Sequence, residues 1–348
     1  MRKISSVMVL LLLALACTAK SQPNEVPGVE WKQLPSPGQA GWSDRKLSEI
    51  QQYIQAIGST SAMIVQHGVV VNAWGDVVHK SNLHSCRKSL LSSLIGTAVA
   101  DNKIRLRDSL ESLGIDDNPP SLTAEEKQAT VLDLLEARSG VYHPTVYETK
   151  GMLESKPPRG SHAPGTFWYY NNWDFNTLGY IYEQATGTSI FDAFYRKIAQ
   201  PIGMQDFRPS DGHYVTSSGS RFAAYPIDMS ARDLARFALL SLRGGKWNNV
   251  EVVPEDWVKA STQPYSDANS GGYGYLWWTG DSASGTPQRI SFPPGSYWAE
   301  GSLGQFAVVV PSLDLVVVNR VDGDMTPREV NKGQMARLVR MVVDIAPN

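Results

Sequence analysis

Leu47, Ile50, Tyr53, Ile54 and Ile57 recur at intervals of three and four, which lays one apolar stripe along a helix. Ser43 precedes the stripe as an N-cap, with Asp44 in the first turn. The period then changes. Residues 62–66 and 69–74 are strand-forming runs, and His67-Gly68 between them supplies a residue free to take positive φ, which predicts a hairpin. The far end mirrors this pattern: residues 305–310 and 315–321 are β-branched runs joined by the turn-forming Pro311-Ser312-Leu313-Asp314. Thr326-Pro327-Arg328-Glu329 fits a capping box with proline at the first helical position, predicting a last helix through Met335, Leu338, Val339 and Val342.

Between these ends the pattern is mainly helical, over residues 90–100, 131–137, 176–186, 190–198 and 231–242, and strand signals are sparse. The expected class is α+β. An antiparallel sheet from both chain ends is flanked by terminal helices, with a mainly helical lobe of roughly residues 86–265 inserted and a cleft between the two. The folded domain is expected over residues 42–348. Residues 17–41, polar and carrying Pro23, Pro27, Pro35 and Pro37, read as a tether.

The 348 residues are 42% hydrophobic and 19% charged, enough for a sizeable core. With 32 Lys plus Arg against 34 Asp plus Glu and no block of either sign, nothing invites nucleic acid or an anionic membrane surface. A small molecule or peptide is the expected partner. Arg2 and Lys3 precede an apolar run over residues 7–15, too short to span a bilayer, and Ala14-Leu15-Ala16 supplies a cleavage site. Residues 1–16 thus read as a signal peptide. The next residue, Cys17, leaves plain cleavage or lipidation open, with lipidation fitting somewhat better although Ala14 stands where a lipoprotein signal usually has Leu. An exported, periplasmic or envelope protein follows, touching membrane only through such an anchor. Cys86 then has no disulfide partner, and the six scattered His residues form no metal-binding spacing, so neither metal nor cofactor is expected.

Two S-x-x-K motifs occur, about the number chance supplies in a chain of this length. Ser43-Asp44-Arg45-Lys46 opens the first amphipathic helix, where an N-cap and a solvated lysine account for it completely. Ser85-Cys86-Arg87-Lys88 instead precedes residues 89–100, small or apolar on every face, as in a buried helix. Lys88 would lie in its first turn beside Ser85, where burial disfavours the ammonium and makes the amine a base. An N-cap serine with a snorkelling lysine is the bland alternative.

Phe167-Trp168-Tyr169-Tyr170-Asn171-Asn172 leads into a helix bearing Phe175, Leu178 and Ile181. This stretch resembles the Y-x-N segment of class C beta-lactamases, family VIII esterases and 6-aminohexanoate-dimer hydrolases, within the serine beta-lactamase and penicillin-binding-protein family. Tyr170 and Asn172 match when Leu178-Gly179 is aligned to the family's hydrophobic-Gly pair; Tyr169 with Asn171 is the off-by-one alternative. The resemblance implies a beta-lactamase/transpeptidase-like fold, with Ser85 as nucleophile, Lys88 and Tyr170 as general base and acid, and Asn172 orienting Lys88 and the substrate. Trp168, Tyr169 and Trp173 read better as core.

The family's third element, usually K-T-G or H-x-G on a strand beside the nucleophile, corresponds to Ala299-Glu300-Gly301-Ser302. Gly301 would let substrate approach the strand edge, and the Ser302 amide would pair with the Ser85 amide as an oxyanion hole. Weaker matches follow in order: residues 130–135 with Ser139-Gly140-Val141, where Ala137 stands in place of a common His, and residues 230–242 with Gly244-Gly245 and Trp257. Ala299 carries no charge for a substrate carboxylate, and Glu300 would repel one if it pointed inward. An esterase or amidase is therefore expected ahead of a beta-lactamase or D-alanyl peptidase, with Arg159 or Arg221 as possible substitutes for the lost cation. His84, His143 and His162 could serve a Ser-His-acid triad, but the chain has no G-x-S-x-G elbow, and His84 reads as a packing or cap residue. A ligand-binding or sensor lipoprotein of the same fold is the alternative from another class.

Overall fold

The computed structural model describes residues 25–268, 271–286 and 290–347. The signal peptide, Cys17 and the first part of the tether lie outside the described residues. Five helices frame the site: α1 (Asp44–Ile57), α2 (Arg87–Ala100), α3 (Asn172–Thr186), α4 (Ala231–Leu242) and α5 (Lys332–Val343). The main sheet is built from β1 (Ser61–Gln66), β2 (Val69–Gly75), β3 (Ser266–Ala268), β4 (Gly271–Tyr273), β5 (Trp278–Thr279), β6 (Tyr297–Gly301), β7 (Gln305–Val310) and β8 (Leu315–Arg320). Its order is β2-β1-β8-β7-β6-β5-β4-β3, with every neighbouring pair antiparallel.

The sheet closes the chain on itself. Ser61 pairs with Arg320 and Gln66 with Leu315, joining the first hairpin to the last. His67 and Gly68 both take positive φ, 53° and 77°, the geometry of a tight two-residue hairpin turn. Alternate residues serve two cores: Ala62, Ile64, Val308 and Val317 face α1 and α5, while Met63, Val65, Val309 and Val316 face the core that contains α2 and α4. Burial on both faces is why these strands read as apolar runs instead of alternating.

The α+β class, the two end hairpins and the terminal helices match expectation. Ser43 caps α1 by accepting the Lys46 N–H, and Lys46 pairs with Glu49, so the first S-x-x-K is an ordinary helix start. Two points differ. The chain between residues 266 and 301 contributes four further strands, including Gly-rich and two-residue pieces too short to carry a β period. The last helix begins at Lys332, not at Pro327: Val330 donates to the Leu303 carbonyl, and the capping box is formed by Asn331 with Gln334. The Thr326 segment is a turn held by Asp322. α3 also starts earlier than its apolar period, because Asn171 caps it by accepting the Trp173 N–H.

Candidate active site

Ser85 sits in a strained turn at the mouth of α2. Asn82 Oδ1 accepts the His84 N–H at 2.7 Å, and His84 is held at φ 47°, a region that residues with a Cβ seldom occupy. Cys86 is fully buried and donates its thiol to the Gln305 carbonyl at 3.3 Å, tying the turn to β7. Burial holds that thiol neutral, with its pKa pushed up to about 12. Residues 87–98 are buried without interruption.

Lys88 Nζ lies 2.7 Å from Ser85 Oγ. The side chain is enclosed by the Tyr170 and Phe175 rings, each centred 4.9 Å from Nζ. Burial, reinforced by the Arg87 charge, drives the ammonium pKa well below its ordinary 10.5. Burial thus favours the neutral amine relative to a solvated lysine, and the serine hydroxyl is in hydrogen-bond reach.

Tyr170 lines the cavity beside Ser85, stacked on Trp278 at 5.5 Å. Burial raises its phenol pKa, and the Ser85 hydroxyl opposes that rise. At neutral pH it is a proton donor. Tyr169 turns the other way and donates to the Met152 carbonyl at 2.8 Å, and Asn171 is the α3 cap, bonded to Val141 and Asp174. The geometry thus separates the two alignments and brings Tyr170 and Asn172, not Tyr169 and Asn171, to Ser85. Asn172 differs from expectation in one respect. Its Nδ2 donates to the Tyr147 carbonyl at 2.8 Å and lies 3.7 Å from Met152 Sδ, and among the described residues no hydrogen bond joins the amide to Lys88. Because a carbonyl only accepts, this fixes the amide orientation and leaves buried Oδ1 as an unpartnered acceptor.

β6 delivers Gly301 against the Ser85 turn, and its end carries Ser302 into the cleft. Ser85 and Ser302 both line the cleft at this point. Two sub-cavities flank the serine and share Ser85, Tyr170 and Ser302. One, of about 260 Å³, reaches Trp278, Glu300 and Lys332; the other, of about 610 Å³, reaches His84, Arg87, Tyr147 and Asn172.

Residues 47–338 match the beta-lactamase family. The chain belongs to that family. Its members are hydrolases, and one curated relative, an unguisins hydrolase of Aspergillus campestris, is 23% identical over 317 residues, covering 76% of this chain and 56% of its own length. The chain therefore spans little more than half of that relative. A Bacillus anthracis structure described as a 6-aminohexanoate-dimer hydrolase superposes with a TM-score of 0.67 at 19% identity, covering 93% of this chain and 88% of that one. The octameric penicillin-binding protein homologue of Pyrococcus abyssi gives 0.60 at 17% identity, with 87% and 77% covered. At these identities the superpositions establish the beta-lactamase fold alone.

Within this beta-lactamase-family cleft several residues take places that no motif marks. Arg159 and Arg221 do not replace the missing strand cation: Arg159 is bound to Glu126, and Arg221 lies over Tyr180. Lys332 from the start of α5 occupies that side instead, 2.9 Å from Glu300 and 4.0 Å from the Trp278 ring centre. Strand alternation explains the encounter, since Glu300 shares a face with Trp298, whose indole N–H it accepts. His84, expected as a packing residue, lines the larger sub-cavity, and burial lowers its pKa. His143 is enclosed with Asp117, and His162 is stacked on Phe167, so neither is arranged as a base for Ser85. Trp173 is core, its indole donating to Asp117. Lys332 lies some thirty residues beyond the strand motif, at the start of a helix that begins five residues later than its proline suggests.

Proposed function

We propose that this protein is an exported serine hydrolase that cleaves an ester or amide through an acyl-enzyme on Ser85. The observation that carries this reading is the 2.7 Å contact between Ser85 Oγ and the Nζ of a buried lysine whose pKa burial lowers well below 10.5. Lys88 accepts the Ser85 proton as Oγ attacks the substrate carbonyl. The oxyanion of the tetrahedral adduct is received by the Ser85 and Ser302 amides. The C–O or C–N bond then breaks, with Tyr170 passing its proton to the leaving group and regaining one from the Lys88 ammonium. Water attacks the acyl group by the same relay in reverse, and the acid leaves with Ser85 restored. Asn172 Oδ1 accepts a substrate N–H.

An ester or amide is preferred to a beta-lactam because Ala299 lacks the cation of penicillin-recognising relatives and Lys332 is countered by Glu300. The unguisins hydrolase among the relatives is in keeping with acyl hydrolysis. The decisive experiment labels the protein with an active-site serine probe and compares p-nitrophenyl butyrate with nitrocefin. Labelling and ester turnover that Ser85→Ala abolishes are expected, a loss of about 10⁴-fold or more; equal labelling of the variant would remove Ser85 from the mechanism. Export, with lipid on Cys17, is part of the same proposal. Mass spectrometry of the mature N-terminus after expression in a bacterial host tests it, and an unprocessed Met1 would refute it.

A further inference from the structure

Arg87 is a buried cation in the wrong place for stability. Its side chain lies in the larger sub-cavity, only 4% of the residue is exposed, and it occupies the first position of α2, where the helix dipole disfavours positive charge. It is followed immediately by Lys88. Among the described residues no carboxylate pairs with it. One hydrogen bond is made, from Nη1 to the His84 carbonyl at 2.8 Å, and Nε is buried without an acceptor. The guanidinium carbon lies 5.1 Å from the Tyr225 ring centre and 5.9 Å from that of Tyr147.

Other buried guanidiniums of this chain are treated differently. Arg320 places Nε, Nη1 and Nη2 on Gln305, Met229 and Ser81. Arg236 shares an unpartnered Nε but uses both terminal nitrogens, on the carbonyls of Ile202, Gly28 and Val29. A guanidinium desolvated to this degree is costly unless its donors are met. At Arg87 only Nη1 has an acceptor, and the residue lines the cavity that opens on Ser85 and Tyr170. Glu148, the acid lining the same cavity, is engaged by Lys156.

We propose that Arg87 is a specificity residue that receives a carboxylate on the acyl portion of the substrate. This rests on the acyl-enzyme reading for its setting, since Ser85 fixes where the scissile carbonyl lies. Asn172, whose buried Oδ1 has no partner, lines the same cavity, so the preferred acyl group carries an anionic end for Arg87 and an N–H for Asn172. A carboxylate matches the planar fork of the guanidinium, and the rings of Tyr225 and Tyr147 limit access to it.

The test compares the mono-p-nitrophenyl ester of glutarate with p-nitrophenyl valerate, an acyl chain of equal carbon number without the charge, each corrected for spontaneous hydrolysis. In the wild type the anionic ester is expected to be preferred in kcat/KM by about tenfold or more, and Arg87→Gln is expected to reduce that ratio about 10- to 100-fold. Arg87→Lys keeps the charge without the fork and retains part of the preference. The ratio cancels any general loss of activity. No preference in the wild type, or an unchanged ratio in Arg87→Gln, overturns the proposal and leaves Arg87 as an electrostatic neighbour of Lys88. A second arm needs no turnover: calorimetric titration of Ser85→Ala with monomethyl glutarate should give binding that the added Arg87→Gln change removes. Binding of this kind without ester hydrolysis would retain the Arg87 site and reject the acyl-enzyme reading. Ser85-dependent hydrolysis of the neutral ester with no anion binding would do the reverse.

Discussion

Gly301 approaches Ser85 so closely that a Cβ built on it would stand 3.0 Å from the Ser85 amide nitrogen and 2.4 Å from the Leu83 carbonyl oxygen. Its φ of −138° is open to any residue, so the need for glycine here is steric, not conformational. Both obstructing atoms are backbone and cannot swing aside. Gly301→Ala should therefore push β6 away from the turn and spoil the spacing of the Ser85 and Ser302 amides. A loss of about 10²- to 10³-fold in kcat is expected with about 1–3 kcal/mol of stability. Steady-state kinetics beside thermal unfolding measures both, and wild-type kcat in a folded variant would refute the assignment of these amides.

Lys88 gives a pH dependence with a definite sign. As a base it works only unprotonated, so kcat/KM should rise with pH as the amine loses its proton and reach a plateau well below pH 10.5. A plateau reached only near 10.5 would mean that burial does not control the group. Stability follows from the same depression. Between the folded pKa and 10.5 the unfolded chain binds a proton that the native one does not, so native stability rises with pH across that interval. Lys88→Met removes this burden: activity should fall about 10²- to 10⁴-fold while the melting temperature rises at neutral pH. That gain should shrink as the pH approaches 10.5.

How far the sequence disclosed this site depends on how local each signal is. Ser85 and Lys88 share one helical turn, and the uniformly apolar run that follows marks them as buried, so motif and context fall within fifteen residues. Gly301 and Ser302 could be reached because the strand after them is a clear β-branched run. Lys332 and Arg87 were not legible as cleft residues. The first is brought in by the packing of α5 beside β6, and the second has a side-chain environment set by Tyr147, Tyr225 and His84, which no spacing along the chain predicts. The strands between residues 266 and 279 were missed for another reason: pieces of two and three residues have no measurable period.

Tyr170 and Tyr169 are adjacent, yet substitution should separate them cleanly. Tyr170→Phe removes the hydroxyl facing Ser85 and should lower acylation about 10²- to 10⁴-fold. Tyr169→Phe removes a hydrogen bond to the Met152 carbonyl, which should cost about 1 kcal/mol of stability. Burst kinetics with a p-nitrophenyl ester reads acylation directly. Equal effects in the two variants would return the alignment to its off-by-one form.

Glu300 and Lys332 supply the last test, which concerns substrate charge on the smaller side of the cleft. Their contact at 2.9 Å leaves that sub-cavity with a neutralised pair where penicillin-recognising relatives present an uncompensated cation. Glu300→Gln keeps an acceptor for the Trp298 indole while removing the negative charge, so the Lys332 ammonium over Trp278 would act on an incoming carboxylate. Turnover of nitrocefin relative to p-nitrophenyl butyrate should then increase about 3- to 30-fold. Lys332→Met in the same background should reverse the gain, and the double-mutant cycle isolates the pair from any general change in the cleft. If Glu300→Gln leaves the ratio unaltered, the preference against beta-lactams resides in the shape of the cleft and not in this ion pair.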